Sequence, residues 1–288
     1  MTRESKGWWL GFIGVAIFAL TLPFTRIAVK EFDPLFVSTG RTVAAAALAL
    51  PILLISRQRR PSLAELGRLC FVVAGVIFGF PIFSALAMTT VPASHGGVVL
   101  GALPLATALM ATIFAGERPS LPFWLWSIAG SLAVIIYAVW DGGGHFEVGD
   151  IWLALAVFAA GMGYAAGGQL SKTLGGWQVI SWALVLGLPI TIPLTYLHAK
   201  GITLHESTAA WASFGYVAVF SQFIGFFFWN KGLSLGGIAK VGQVQLLQTF
   251  MTLAASSAML GEALTIRTIV FAIIVAACVY LGRKAATA

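Results

Sequence analysis

The sequence predicts an all-α integral membrane protein of ten transmembrane helices arranged as two inverted five-helix repeats. Three observations carry that prediction. Hydrophobic residues make up 59% of the chain and charged residues only 9%, with a mean hydropathy of +0.94, whereas about a quarter of the residues in a soluble domain are charged. Apolar runs of roughly twenty residues, enough for a helix to cross the hydrocarbon core, follow one another with only short polar linkers. A stretch of the first half also recurs in the second at an offset of 145 residues. Membrane β-strands would instead show short segments of alternating polarity.

Helix 1 covers residues 8–29, after Arg3 and Lys6. Arg26 and Lys30 close it without a small-residue cleavage site, so it reads as a retained span and not a signal peptide. Helix 2 covers 34–56 and ends in Arg57, Arg59 and Arg60; helix 3 covers 68–90. Val91-Pro92-Ala93-Ser94 turns the chain into helix 4, which ends at Gly116-Glu117, and helix 5 covers 121–140. The polar linker from Asp141 to Asp150, which includes His145, lies at the midpoint of the chain and marks a seam. Residues 1–144 form the first repeat and 145–288 the second. Helices 6 to 10 cover 151–170, 178–197, 209–229, 238–260 and 265–281.

The repeated stretches are residues 87–117 and 232–262. Gly97 matches Gly242, Val99 matches Val244, Thr107 matches Thr252, and Gly116-Glu117 matches Gly261-Glu262. Turn positions and hydropathy recur with them, as internal duplication requires. An odd number of helices per repeat places the two repeats upside down relative to each other.

Loop charges set the direction. With the N-terminus in the cytoplasm, the cytoplasmic helix ends carry twelve basic residues and the opposite ends only Lys30, Lys200 and Arg267. That asymmetry follows the positive-inside rule and puts both termini in the cytoplasm. The net charge of +7 is accounted for by loops facing anionic lipid and calls for no nucleic-acid partner. Cys70 and Cys278 fall in or beside apolar runs, where they read as small packing residues.

This pattern resembles the EamA-type branch of the drug/metabolite transporter superfamily, in which a glycine-glutamate pair ends the fourth helix of each repeat. The likeness covers the whole chain. Within the branch it is similar to the YddG-type amino-acid exporters of bacteria, through Trp229-Asn230 followed by Gly232 and Gly236. The resemblance implies an inner-membrane carrier that exports amino acids, aromatic ones included, and related metabolites. It also implies a proline midway along both repeat helices. Pro104 supplies it in helix 4, but Thr249 stands at the matching place in helix 9.

Glycines four apart at Gly75/Gly79, Gly97/Gly101, Gly163/Gly167 and Gly232/Gly236 let helix backbones pack closely. Pro104 with Gly97 and Gly101 makes helix 4 a bent gate, and helix 9, carrying Gly242, is its inverted counterpart. A substrate cavity belongs near the midplane between the repeats. Candidates to line it are Phe80 and Phe83 of helix 3, Leu103 of helix 4, Tyr164 of helix 6, Phe227 of helix 8, and Gln245 and Gln248 of helix 9. Lipid-facing packing is the competing role for the phenylalanines, and interhelical hydrogen bonding for the glutamines.

Ionisable residues within the spans are few: Arg41 in helix 2, Arg26, His95 and Lys240 near helix ends. The last three reach the interface by snorkelling. No Asp or Glu lies near a helix centre, which favours facilitative uniport over proton antiport through an uncharged cavity, with His95 as the remaining proton carrier. No paired acids, nucleophile-base pair, metal cluster or nucleotide-binding loop is visible, so neither an intramembrane enzyme nor an ATP-driven pump is indicated, and no metal or cofactor is expected. Export of hydrophobic cations or drugs is the alternative substrate class. The expected assembly is a monomer, with a dimer as the alternative.

Overall fold

The computed structural model describes residues 2–116, 120–141, 143–144, 146–200, 202 and 206–286. Among the described residues the regular structure is helical, without strands. Eight helices are long and apolar enough to cross a membrane: Arg3–Ala28, Pro34–Ile55, Leu63–Thr90, Ala93–Phe114, Trp124–Asp141, Val148–Leu170, Gly176–His198 and Thr208–Gly236. These are helices 1 to 8. Helix 9 is broken into Ile238–Gly242 and Gln245–Leu260. Helix 10, Ile266–Ala286, has a shorter apolar part that ends at Gly282.

Helix starts depend on local capping chemistry more than on hydropathy, so several fall outside the apolar runs. Thr2 accepts the Ser5 N–H and starts helix 1 five residues before the expected Trp8. Asp33 accepts the Leu35 and Phe36 N–H groups at 2.8 and 3.1 Å, with Pro34 in the first turn of helix 2. A reciprocal Ser62–Glu65 capping box starts helix 3 upstream of Arg68. Helices 4 and 9 end at Gly116 and Gly261, both in the left-handed region at φ 69° and 67°. Glu117, the partner of Gly116 in the repeated pair, lies outside the described residues, as does His145.

The spans meet most closely at glycines. A Cβ on Gly7 would lie 2.6 Å from the Gly236 nitrogen, where helices 1 and 8 cross, and one on Gly75 would lie 2.4 Å from the Ala159 carbonyl, where helices 3 and 6 cross. With no side chain between them, the backbones touch and dispersion contacts hold the crossing. Large apolar side chains such as Leu54, Ile55, Ile113 and Ile190 point outward, while Thr25, Ser84, Ser213 and Gln222 are buried. This inverted polarity suits a hydrocarbon surround. Trp8, Trp9, Trp140 and Tyr196 are exposed near helix ends, where amphipathic rings suit the interface. Cys70 and Cys278 are free thiols.

Candidate functional site

Helices 3 and 8 each carry a π-helical stretch, Val73–Gly79 and Val217–Ile224. At the 145-residue offset the two stretches coincide to within one residue. Such widened turns disturb the backbone ladder and recur at functional sites. Here the Gln222 amide donates to the Val76 carbonyl at 2.8 Å, tying one π stretch to the other.

Beside that tie lies a small cavity of about 10 Å³, room for roughly one water. Its walls come from both halves of the chain: Phe18 and Thr21 of helix 1, Arg41 of helix 2, Val76 and Phe80 of helix 3, Tyr164 of helix 6, and Ser221, Gln222 and Phe226 of helix 8. One side is aromatic. The Phe18 ring centroid lies 6.2 Å from Tyr164 and 5.0 Å from Phe226, and Trp229 closes the cluster 5.4 Å from Tyr164. The other side is polar. Arg41, only 2% exposed, donates from Nη2 to Ser221 Oγ at 3.0 Å, and Ser221 is 2.8 Å from Thr21 Oγ1. The Arg41 Nε is buried without a hydrogen-bond partner. The expectation of an uncharged cavity thus gives way to one with a single guanidinium.

Of the residues predicted to line a cavity, the fold brings Phe80 and Tyr164 together here. Phe83 stacks on Trp152 at 5.8 Å in a separate groove between helices 3 and 6. Leu103 is fully buried in the main hydrophobic core. Phe227 packs against Trp177 and Phe223. Gln245 and Gln248 are buried on helix 9, and both amide atoms of Gln245 and the carbonyl of Gln248 lack hydrogen-bond partners.

Of the predicted gate residues, Gly101, Pro104 and Gly242 lie at or beside helix interruptions, and Gly97 lies within the piece Ala93–Val99. Helix 4 tightens to a 3₁₀ turn at Leu100–Ala102 and resumes at Leu103-Pro104. In helix 9 the N–H groups of Leu246 and Leu247 bond three residues back, to Gln243 and Val244, at the same place in the repeat. Helix 9 therefore changes its winding where Thr249 replaces the expected proline. Gly97 faces the Thr252 side chain and Gly101 faces Val275 and Thr249, so a Cβ at either would meet atoms within 3.0 Å. Gly242 ends the first piece of helix 9. Thr252 in turn donates to the Ala19 carbonyl at 2.9 Å, at the interruption of helix 1.

A second polar cluster caps the start of helix 4. His95 does not snorkel: it is 3% exposed, with Nδ1 2.7 Å from Asp141 and Nε2 2.6 Å from Asp150. The Tyr137 hydroxyl donates to Asp141 at 3.4 Å, and the Glu147 N–H donates to Asp150 at 2.9 Å. A neutral imidazole has one donor and one acceptor. Here both ring nitrogens face carboxylate oxygens, one from Asp141 and one from Asp150. Next to it, Glu262 accepts the Ala93 and Ser94 N–H groups at 2.9 and 2.7 Å.

Sequence reasoning singled out Arg41 as an ionisable residue inside a span but did not assign it to the cavity. Thr21, Ser221 and Gln222 carried no signal, because single hydroxyls and amides are common in membrane helices. Asp141 and Asp150 read as loop acids.

Long apolar helices with outward-facing aliphatic side chains and a buried polar and aromatic cluster define a multi-pass membrane protein. The chain belongs to the EamA-like transporter family, whose sequence profile matches residues 5–139 and again residues 147–282. A Bacillus subtilis (strain 168) protein described as the uncharacterized transporter YdeK is 45% identical over 284 residues, 99% of each chain. A Streptantibioticus cattleyicolor protein described as a probable terminal-alkyne amino-acid exporter is 26% identical over 90% of this chain and 87% of its own. A chain of a crystal structure superposes with a TM-score of 0.68 over 99% of this chain and 98% of that one, at 14% identity, a likeness of fold alone. Family and relatives indicate a transporter and not an enzyme.

Proposed function

We propose that the protein is a secondary carrier of the bacterial inner membrane that exports amino acids, aromatic ones included, and related small metabolites. The observation that carries this reading is the small cavity, where an aromatic wall meets Thr21, Arg41 and Ser221. A zwitterion with an apolar side chain offers matching surfaces to both. The relative named as an amino-acid exporter supports the same class. A guanidinium in the cavity weighs against hydrophobic cations, which it repels.

In this reading the ten helices form two inverted repeats, residues 1–144 and 145–288, with both termini in the cytoplasm and the protein working as a monomer. Helices 4 and 9 flex about Gly97, Gly101, Pro104 and Gly242, opening the cavity to one side at a time. Phe80 and Tyr164 have the strongest support as substrate contacts, since they line the closed cavity. Phe83, Leu103 and Phe227 reach a substrate only after helices 3, 4 and 8 move apart. Gln245 and Gln248, whose amides lack full hydrogen bonding in the closed form, gain a partner in an open one.

No carboxylate lines the cavity, which supports facilitative uniport. The His95 cluster favours a second reading, proton exchange, because it sets an imidazole between two carboxylates at the start of helix 4. Counterflow into liposomes loaded with unlabelled amino acids, with and without an imposed pH gradient, tests both. Uptake indifferent to the gradient supports uniport, gradient-driven uptake selects proton exchange, and no uptake of any amino acid rejects the substrate class.

A further inference from the structure

We infer that Arg41 is the anchor for a carboxylate on the transported molecule, so that the substrate class is small organic acids and zwitterions bearing a free carboxylate. This deepens the carrier reading and rests on it. Arg41 lies well inside helix 2 and is buried within the span, where a lone charge is unfavourable. None of the ion pairs among the described residues includes it. Of its five donors, one is used on a neutral acceptor, Ser221 Oγ, while Nε is buried and unpaired.

A guanidinium presents its N–H groups as a planar fork that matches a carboxylate with two parallel bonds, and one hydroxyl does not fill it. The chain from Arg41 to Ser221 to Thr21 closes the cavity to about 10 Å³. A carboxylate entering from either side replaces Ser221 on the guanidinium, releases the link between helices 2 and 8, and leaves the apolar part of the substrate against Phe18, Phe80 and Tyr164. The charge is not duplicated. At the 145-residue offset Arg41 corresponds to Leu186 in helix 7, so the cavity has one cationic pole and orients its ligand one way.

The competing role is a structural crosslink between helices 2 and 8, which would not distinguish ligands by their carboxylate. The test therefore begins with the unaltered protein. Purified full-length protein is placed in liposomes loaded with L-leucine, and uptake of labelled L-leucine is competed by L-leucinamide, 3-methylbutylamine and 4-methylpentanoate. The expected result is that the amide and the amine, which lack the carboxylate, compete about 10- to 100-fold less well than leucine, while 4-methylpentanoate still competes. Equal competition by leucinamide overturns the inference and leaves the carrier reading intact. Arg41→Lys, which keeps the charge without the fork, raises KM with a smaller change in kcat, and an unchanged KM overturns the inference. If leucine is not transported at all, the amino-acid reading fails separately. Thermal stabilisation of the unaltered protein then decides the anchor: a shift with 4-methylpentanoate and none with its carboxamide supports it, and equal or absent shifts overturn it.

Discussion

The Glu262 carboxylate accepts the Ser94 N–H at 2.7 Å, so the residue just past the end of helix 9 caps the start of helix 4, 168 positions earlier in the chain. Pro92, at the position before the helix, supplies no side-chain cap of its own. The contact explains what half of the repeated Gly-Glu pair does. Gly261 turns the chain left-handed to stop helix 9, and Glu262 then offers its carboxylate to the N–H groups at the positive end of helix 4. Glu262→Ala is expected to cost about 0.5–2 kcal/mol, the usual loss for an N-cap. Thermal unfolding in detergent measures it, and an unchanged midpoint would show that solvent caps helix 4 equally well.

Asp150 and His95 form an interdependent pair. Each single change, Asp150→Asn or His95→Gln, leaves a buried polar partner short of a hydrogen bond, so each lowers the unfolding midpoint. The double variant is expected to cost less than the sum of the two by about 0.5–3 kcal/mol. Strict additivity would mean that the 2.6 Å contact does not persist in the membrane.

Two alanine substitutions in helix 3 separate packing from propensity. Gly75→Ala places a methyl 2.4 Å from the Ala159 carbonyl oxygen, a backbone atom that cannot turn aside, and is expected to destabilise by about 1–3 kcal/mol. Gly67→Ala meets nothing within 4 Å and is expected to stabilise by about 0.5–1 kcal/mol through helix propensity alone. Parallel thermal melts check the pair: a stabilising Gly75→Ala would contradict the crossing of helices 3 and 6, and a destabilising Gly67→Ala would contradict the open surroundings of that position.

Glu31, in the turn between helices 1 and 2, takes hydrogen bonds from the Ser207 hydroxyl and from the Ser207 N–H, the latter at 2.7 Å. The hydroxyl, then the N–H, holds its pKa below the ordinary carboxylate value, against smaller opposing effects of desolvation and then of Glu206. A lowered folded-state pKa adds stability that is complete above the unfolded value and is lost as pH falls through the folded one. Ser207→Ala is therefore expected to lower the unfolding midpoint at neutral pH, with the difference from the unaltered protein shrinking in acid. A gap that widens in acid would reverse the assigned sign. Ser207 also caps helix 8 through the Ala210 N–H, so Glu31→Gln, which spares that bond, provides the second arm.

Arg41 and Ser221 show how far the site can be read without a fold. A lone cation in an apolar run is visible at once, and Tyr164 and Phe80 stand out as aromatic residues in aliphatic or glycine-rich surroundings. Ser221 is one hydroxyl among many, and nothing in its neighbourhood reports that a guanidinium 180 positions away will reach it. Glu262 was conspicuous through its repeat, yet the N–H groups it serves were not. Gln245 and Gln248 share a polar helix face, but neither lines the cavity.

The sequence by itself determined that the protein lives in a membrane, roughly where its apolar helices fall, and which positions in helix 4 carry glycine and proline. Hydropathy, caps, glycine and proline act over a turn or two of helix, so a linear reading captures them. Only the tertiary structure decided that Arg41 faces the cavity, that His95 sits between two carboxylates, and that helix 9 bends without a proline. Those outcomes depend on where helices cross, and crossings such as those at Gly7 on Gly236 and Gly75 on Gly163 join residues far apart in the chain.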